Sequence, residues 1–218
     1  MGGCLFVLGN SHERMLTFSY RQDYALAGWA DKQISLLWPN RNRGTWIALY
    51  HHFGDAAYNE QQATVGYGLQ VSKMVHVGVA GQYNRLAVDD EWYETQQWLS
   101  ATVFTRIKPI NSLELCLTGS YLPWQENRPW GMRVGATYHA SPAVLTAIEA
   151  EYHQRFRIHY GMEYCYRNNY FLRAGFATNP PVLTFGIGIK VNQYRFDLSA
   201  ESHSTLGITP QLSFALCF

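Results

Sequence analysis

Charge is scarce in this 218-residue chain: Asp, Glu, Lys and Arg make up 15% of it, against roughly a quarter in an ordinary soluble domain. The charge present balances to a formal +1, and no basic run with interleaved aromatics appears. That leaves no electrostatic footprint for nucleic acid. Long apolar runs are missing too. Mean hydropathy is −0.21, and no stretch approaches the roughly 20 apolar residues of a spanning helix, so a membrane position would require strands closed into a barrel. The four cysteines, Cys4, Cys116, Cys165 and Cys217, are scattered, with no C-x-x-C pair and no histidine at ligand spacing. They therefore point to no metal and no cofactor. Convincing helical stripes are absent as well.

What the chain does have is aromatic side chains, 15% of residues, and alternation. Apolar and small or polar residues alternate with period 2 in about fourteen segments. The last strand is typical: Leu212, Phe214, Leu216 and Phe218 fall on one face, and Gln211, Ser213, Ala215 and Cys217 on the other. Earlier outward sets include Ala63, Val65, Tyr67 and Leu69, then Phe156, Ile158, Tyr160, Met162 and Tyr164, then Leu183, Phe185, Ile187 and Ile189. In the third segment the outward set is either Trp46, Ala48 and Tyr50 or Ile47 and Leu49. Most segments approach the roughly 9–11 residues a tilted strand needs to cross a bilayer. Trp38, Trp46, Tyr67, Tyr83, Tyr121, Tyr138, Tyr152, Tyr166 and Tyr170 sit near strand ends, as an interfacial girdle requires.

Connection lengths supply a second signal. Short junctions at 71–74, 108–112, 140–143, 167–169 and 192–193, with a longer one at 39–44, alternate with mostly longer ones at 21–31, 53–60, 87–93, 122–129 and 202–209. Outer-membrane barrels alternate short and long connections in this way. The competing architecture, a soluble antiparallel sandwich, would spread charge over its outer faces. The reading is therefore an all-β, antiparallel, up-and-down transmembrane barrel of about fourteen strands, covering residues 15–218 as one domain in the bacterial outer membrane, in contact with its lipid. Residues 1–14 read as the remnant of a signal peptide or a short N-terminal segment. A lipobox around Cys4 fits less well, because Leu5, Phe6, Val7 and Leu8 are unlike a solvated tether.

Residues 145–151 (LTAIEAE), 160–164 (YGMEY), 171–176 (FLRAGF), 183–190 (LTFGIGIK), 196–200 (FDLSA) and 203–214 (HSTLGITPQLSF) resemble the PorV/PorQ family of type IX secretion, similar in architecture to FadL-type transporters. The resemblance covers the last third of the chain. It implies a non-catalytic envelope barrel that docks an envelope or secreted protein partner, with passage of small molecules through the lumen as the alternative. Family members usually open on an Asn-Pro-Ala type segment that plugs the barrel. Nothing here matches it, so roles that depend on a plug do not carry over.

Face matching across short turns sets a register. Glu151 falls opposite Arg157, Glu149 opposite His159, and Glu163 opposite Arg173. With Lys190, Arg195 and Asp197 also inward, a mixed-charge lumen is expected, either an ion-pair lattice that fills the bore or a selectivity lining. The other candidate surface is the long loops, where Tyr24, Trp29, Tyr58, Trp92, Tyr93 and Trp124 combine exposed rings with charge. An enzyme reading finds candidate bases in His51, His52, His76, His139 and His159 and hydroxyls in Ser100, Thr102 and Ser120, but no spacing links them. Gly66-x-Gly68 and Gly186-x-Gly188 lie inside strands, where room for an opposing side chain explains them better than a phosphate loop.

Overall fold

The structure, a computed structural model, describes residues 13–26, 28–40, 44–90, 92–123, 129–153 and 155–218. The expectations for residues 1–12, Cys4 among them, lie outside that set, as does Trp124.

Fourteen strands follow one another: β1 (Met15–Gln22), β2 (Ala30–Asn40), β3 (Gly44–Gly54), β4 (Tyr58–Gln70), β5 (Val75–Val88), β6 (Gln96–Ile110), β7 (Leu113–Tyr121), β8 (Trp130–Ser141), β9 (Val144–Tyr152), β10 (Phe156–Tyr166), β11 (Tyr170–Ala177), β12 (Val182–Val191), β13 (Tyr194–His203) and β14 (Gly207–Cys217). Each pairs antiparallel with its neighbours in sequence, and β1 pairs with β14, so the sheet closes on itself and has no free edge. The expected fold and strand count are thus observed.

The barrel is inside out relative to a soluble sandwich. Leu99 is 70% exposed, Phe185 59% and Val79 59%, whereas Thr64, Asn84, Ser100, Thr118 and even Arg106 are buried. Burying hydroxyls and amides while exposing large apolar side chains is stable only if the outside is itself apolar, because the hydrophobic term would otherwise favour the reverse. Ile47 is 3% exposed and Trp46 55%, which selects the Trp46, Ala48 and Tyr50 face as the outward one in β3. Exposed rings gather toward both ends of the wall. At the end holding Met15 and Cys217, Trp46 packs on Tyr67 and Tyr166 on Tyr170. Toward the other end Tyr121 packs on Trp130.

The buried apolar centre lies within the bore. Leu37 and Ile47 meet Phe104, with Met15 against them. Phe104 reaches across β4 and β5 because Gly68 and Gly78 carry no side chain there: a Cβ on Gly78 would collide with the Phe104 ring. The β2–β7 sector is therefore packed, and the open space lies against the opposite wall. Loop lengths are less polarised than expected. Connections 23–29, 89–95 and 122–129 are long, but β3 and β4 extend so far that only 55–57 joins them, and 204–206 alone joins β13 to β14.

Candidate functional site

The registers read from face matching are present: Glu151 pairs opposite Arg157, Glu149 opposite His159, and Glu163 opposite Arg173. The side chains organise differently from that simple scheme. Arg173 is the centre of one cluster. Its Nε lies 2.6 Å from Glu163 Oε2 and its Nη1 2.6 Å from Asp197 Oδ1. Arg195 completes the group, 3.0 Å from Asp197 and 3.6 Å from Glu163, and both guanidinium groups stand over the Phe171 ring. Gly188 makes the cluster possible, since a Cβ there would run into Asp197 Oδ1. Lys190 faces the lumen directly across from Arg195 and makes no ion pair among the described residues.

A second cluster corrects the expected partners. Glu149 and Glu151 are held by Arg133 from β8, at 3.3 and 3.2 Å, with His159 3.6 Å from Glu151. Arg157 instead donates from Nε to the Thr178 carbonyl, 3.1 Å away. The register is as expected, yet the carboxylates turn to the other neighbouring strand, because Arg133 stands between them with both terminal and inner nitrogens in reach. Glu149, Glu151 and His159 bring ligand atoms within 4.8 Å of one another, but Arg133 already occupies the carboxylates and would meet a dication as a like charge.

Two further clusters were not anticipated. Near the long-loop end Arg21 contacts Asp23 at 2.9 Å and Asp31 at 3.1 Å, and His51 Nε2 lies 2.9 Å from Asp31. On the packed side, buried Arg106 and Lys108 both approach Glu114, at 3.6 and 3.1 Å. The candidate hydroxyls are engaged on the inner wall: Asn84 donates to Ser100 at 3.0 Å, and Thr102 shares a hydrogen bond with Ser120 at 3.0 Å.

Between these clusters a cavity of about 750 Å³ opens along β8–β14, walled by Arg133, Glu149, Glu151, Glu163, Arg173 and Glu201. A side chain at Gly161 would meet nothing within 4 Å, so that position looks straight into the space. Tyr24 stands at the mouth. Expected on an exposed loop, it sits instead on a 3-10 turn, Asp23–Ala25, that folds inward: its backbone N–H donates to Thr209 Oγ1 at 3.0 Å, and its ring meets His203 edge-on at 5.1 Å. Tyr58 also leaves the expected loop set, being the first residue of β4, with its hydroxyl bonded to Glu60. Trp29 is half exposed against Phe53, while Trp92 is 90% and Tyr93 66% exposed on the 89–95 loop.

Comparison with known proteins adds the fold. No protein-family model matches the chain and no curated protein does. Solved structures match over nearly its whole length. The toluene transporter TbuX of Ralstonia pickettii superposes with a TM-score of 0.66 at 8% identity, covering 95% of this chain and 89% of that one. The CymD monoaromatic hydrocarbon channel gives 0.61 at 10% identity, with 94% and 87% covered. A mutant of Rh. blastica porin gives 0.53 at 8% identity, with 94% and 99% covered. The chain has the fold of these channel proteins. The FadL-like half of the resemblance agrees with this architecture; the PorV and PorQ half gains nothing from it.

Proposed function

We propose that this chain is a non-catalytic barrel of the bacterial outer membrane that lets small molecules pass through its lumen. The observation that carries the reading is the cavity of about 750 Å³, lined by charged as well as apolar side chains, inside a closed wall whose outer face is apolar. A channel, a porin and a transporter share the fold, which favours passage over the docking role drawn from the PorV/PorQ resemblance. The chemistry of the lining narrows the cargo. Each carboxylate of the two central clusters lies within ion-pair distance of an arginine, so the local fields largely cancel. Such a lumen suits small neutral or zwitterionic solutes and discriminates weakly between ions.

Swelling of liposomes containing the purified barrel in isotonic small sugars tests this. Wild type should swell faster than protein-free liposomes. Gly161→Trp, which fills the cavity from its wall, should cut the rate severalfold while the barrel still forms. Swelling no faster than protein-free controls would sink the reading. A docking role keeps one supporting observation: Trp92 and Tyr93 protrude from a loop that also carries Asp89, Asp90 and Glu94.

A further inference from the structure

The outward face of the barrel wall is almost free of charge, and its exceptions share one level. On β1 to β6 the ladder pairs Tyr20 with Lys32, Lys32 with His52, His52 with Gln61, Gln61 with Arg85, and Arg85 with Gln97. Strand alternation puts all six on the outside, in one row near the long-loop end. The next outward row toward the termini is apolar and aromatic: Phe18, Ile34, Tyr50, Ala63, Tyr83 and Leu99, again paired in order. Among the described residues no Asp or Glu lies on the outward face of any strand, and neither Lys32 nor Arg85 makes an ion pair. His52 Nδ1 is buried there without a hydrogen-bond partner. On β7 to β14 the outward face carries no cation among the described residues.

Beneath Lys32 and His52 the surface dips into a groove of about 570 Å³, floored by Phe18, Ile34, Tyr50, Leu212 and Phe214. An apolar trough that ends on unpaired cations matches one class of occupant: a membrane lipid whose phosphate headgroup carries net negative charge. The chain would lie in the trough and the phosphate on the row above. Cations at the surface of a membrane attract anionic headgroups, and rings at that level mark the interface. We propose that the β14 and β1–β5 face of the barrel holds one anionic phosphate lipid of the outer leaflet, with its chains in the groove, Lys32 and His52 at the headgroup above it, and Arg85, two strands beyond His52 in the same row, meeting the far side of a spread headgroup. The proposal rests on the membrane reading above and uses none of the lumen.

The test is retention of synthetic bisphosphorylated lipid A by the full chain in a neutral maltoside detergent, read by native mass spectrometry. Wild type should keep one lipid. The K32Q/R85Q variant should bind it roughly thirtyfold more weakly, equivalent to about 1 kcal/mol for each of two cations. Millimolar inorganic phosphate should not displace the lipid, and phosphatidylcholine should not be retained. Should that variant fail to form a barrel, Ile34→Trp fills the trough with both cations in place and should also lose the lipid. Equal retention by wild type and variants, displacement by phosphate alone, or a doubled protein mass in place of the lipid overturns the proposal. A barrel that fractionates with the outer membrane yet keeps no lipid sinks only this site, whereas a chain found in the soluble fraction sinks the membrane reading with it.

Discussion

Glu163 and Arg173 face each other across one step of the β10–β11 ladder, with Arg173 Nε 2.6 Å from Glu163 Oε2. The pair is shared, since Arg173 also binds Asp197 and Arg195 also approaches Glu163. Reversing either charge alone therefore creates two repulsions. Reversing both restores the attraction between positions 163 and 173, but sets a cation beside Arg195 and a carboxylate beside Asp197. Glu163→Arg and Arg173→Glu should each lower the temperature at which the barrel loses its heat-modified gel mobility. The double reversal should recover only part of that loss, with a coupling of about 0.5–3 kcal/mol. Strictly additive losses would show that the two side chains do not interact.

Arg133 and Arg157 look equivalent by strand register, since both pair across from Glu151, but only Arg133 contacts it. Arg133→Gln should remove the one arginine among the described residues that contacts both Glu149 and Glu151, destabilise the barrel by about 1–3 kcal/mol, and shift the reversal potential under a salt gradient toward cations. Arg157→Gln removes a single hydrogen bond to the Thr178 carbonyl and should move stability by about 1 kcal/mol. Equal effects of the two substitutions in heat-modification assays would contradict the assignment of Arg133 as the hub.

Glycines of the inner wall divide by what lies over them. Gly188→Ala drives a methyl into Asp197, and the displaced carboxylate loosens Arg173; overpacking of this kind costs about 1–3 kcal/mol. Gly161→Ala meets open space and should be nearly neutral. Measuring the two side by side separates steric conflict from any general cost of a larger residue in a strand.

Trp92 and Tyr93 touch little, so replacing both with alanine should change barrel stability by no more than about 0.5 kcal/mol. If the 89–95 loop docks a partner, an envelope protein that co-purifies with wild type should disappear. A partner that survives those changes and is lost with Arg173→Gln would place the contact in the lumen.

Strand positions and faces were legible because period-2 alternation leaves only two choices per segment, and burial settles the one ambiguous case, Ile47 against Trp46. Arg133 was only half legible: alternation with outward Met132 and Val134 turns it inward, but the β8–β9 register carries an irregularity between His139 and Ser141, which breaks face matching across that turn and hides its place opposite Glu151. Tyr24 was not legible. Its inward fold depends on Thr209 and His203, far away in sequence, and on positive φ at Tyr24 and Ala25, which nothing local demands. The Leu37, Ile47 and Phe104 packing was hidden for a related reason, since a ring that spans two strands across glycines leaves no periodic trace.

Thirteen of the fourteen seams in this wall join strands adjacent in sequence, so almost all pairing is available to the chain as soon as each hairpin exists. The exception is the seam of β1 with β14, seven residue pairs from Met15 with Cys217 to Arg21 with Gln211. Loop closure over nearly the whole polypeptide must precede its first hydrogen bond. That makes the seam the natural last event of assembly. Until it forms, two raw strand edges stand open for anything that offers a matching strand, a chaperone or another copy alike.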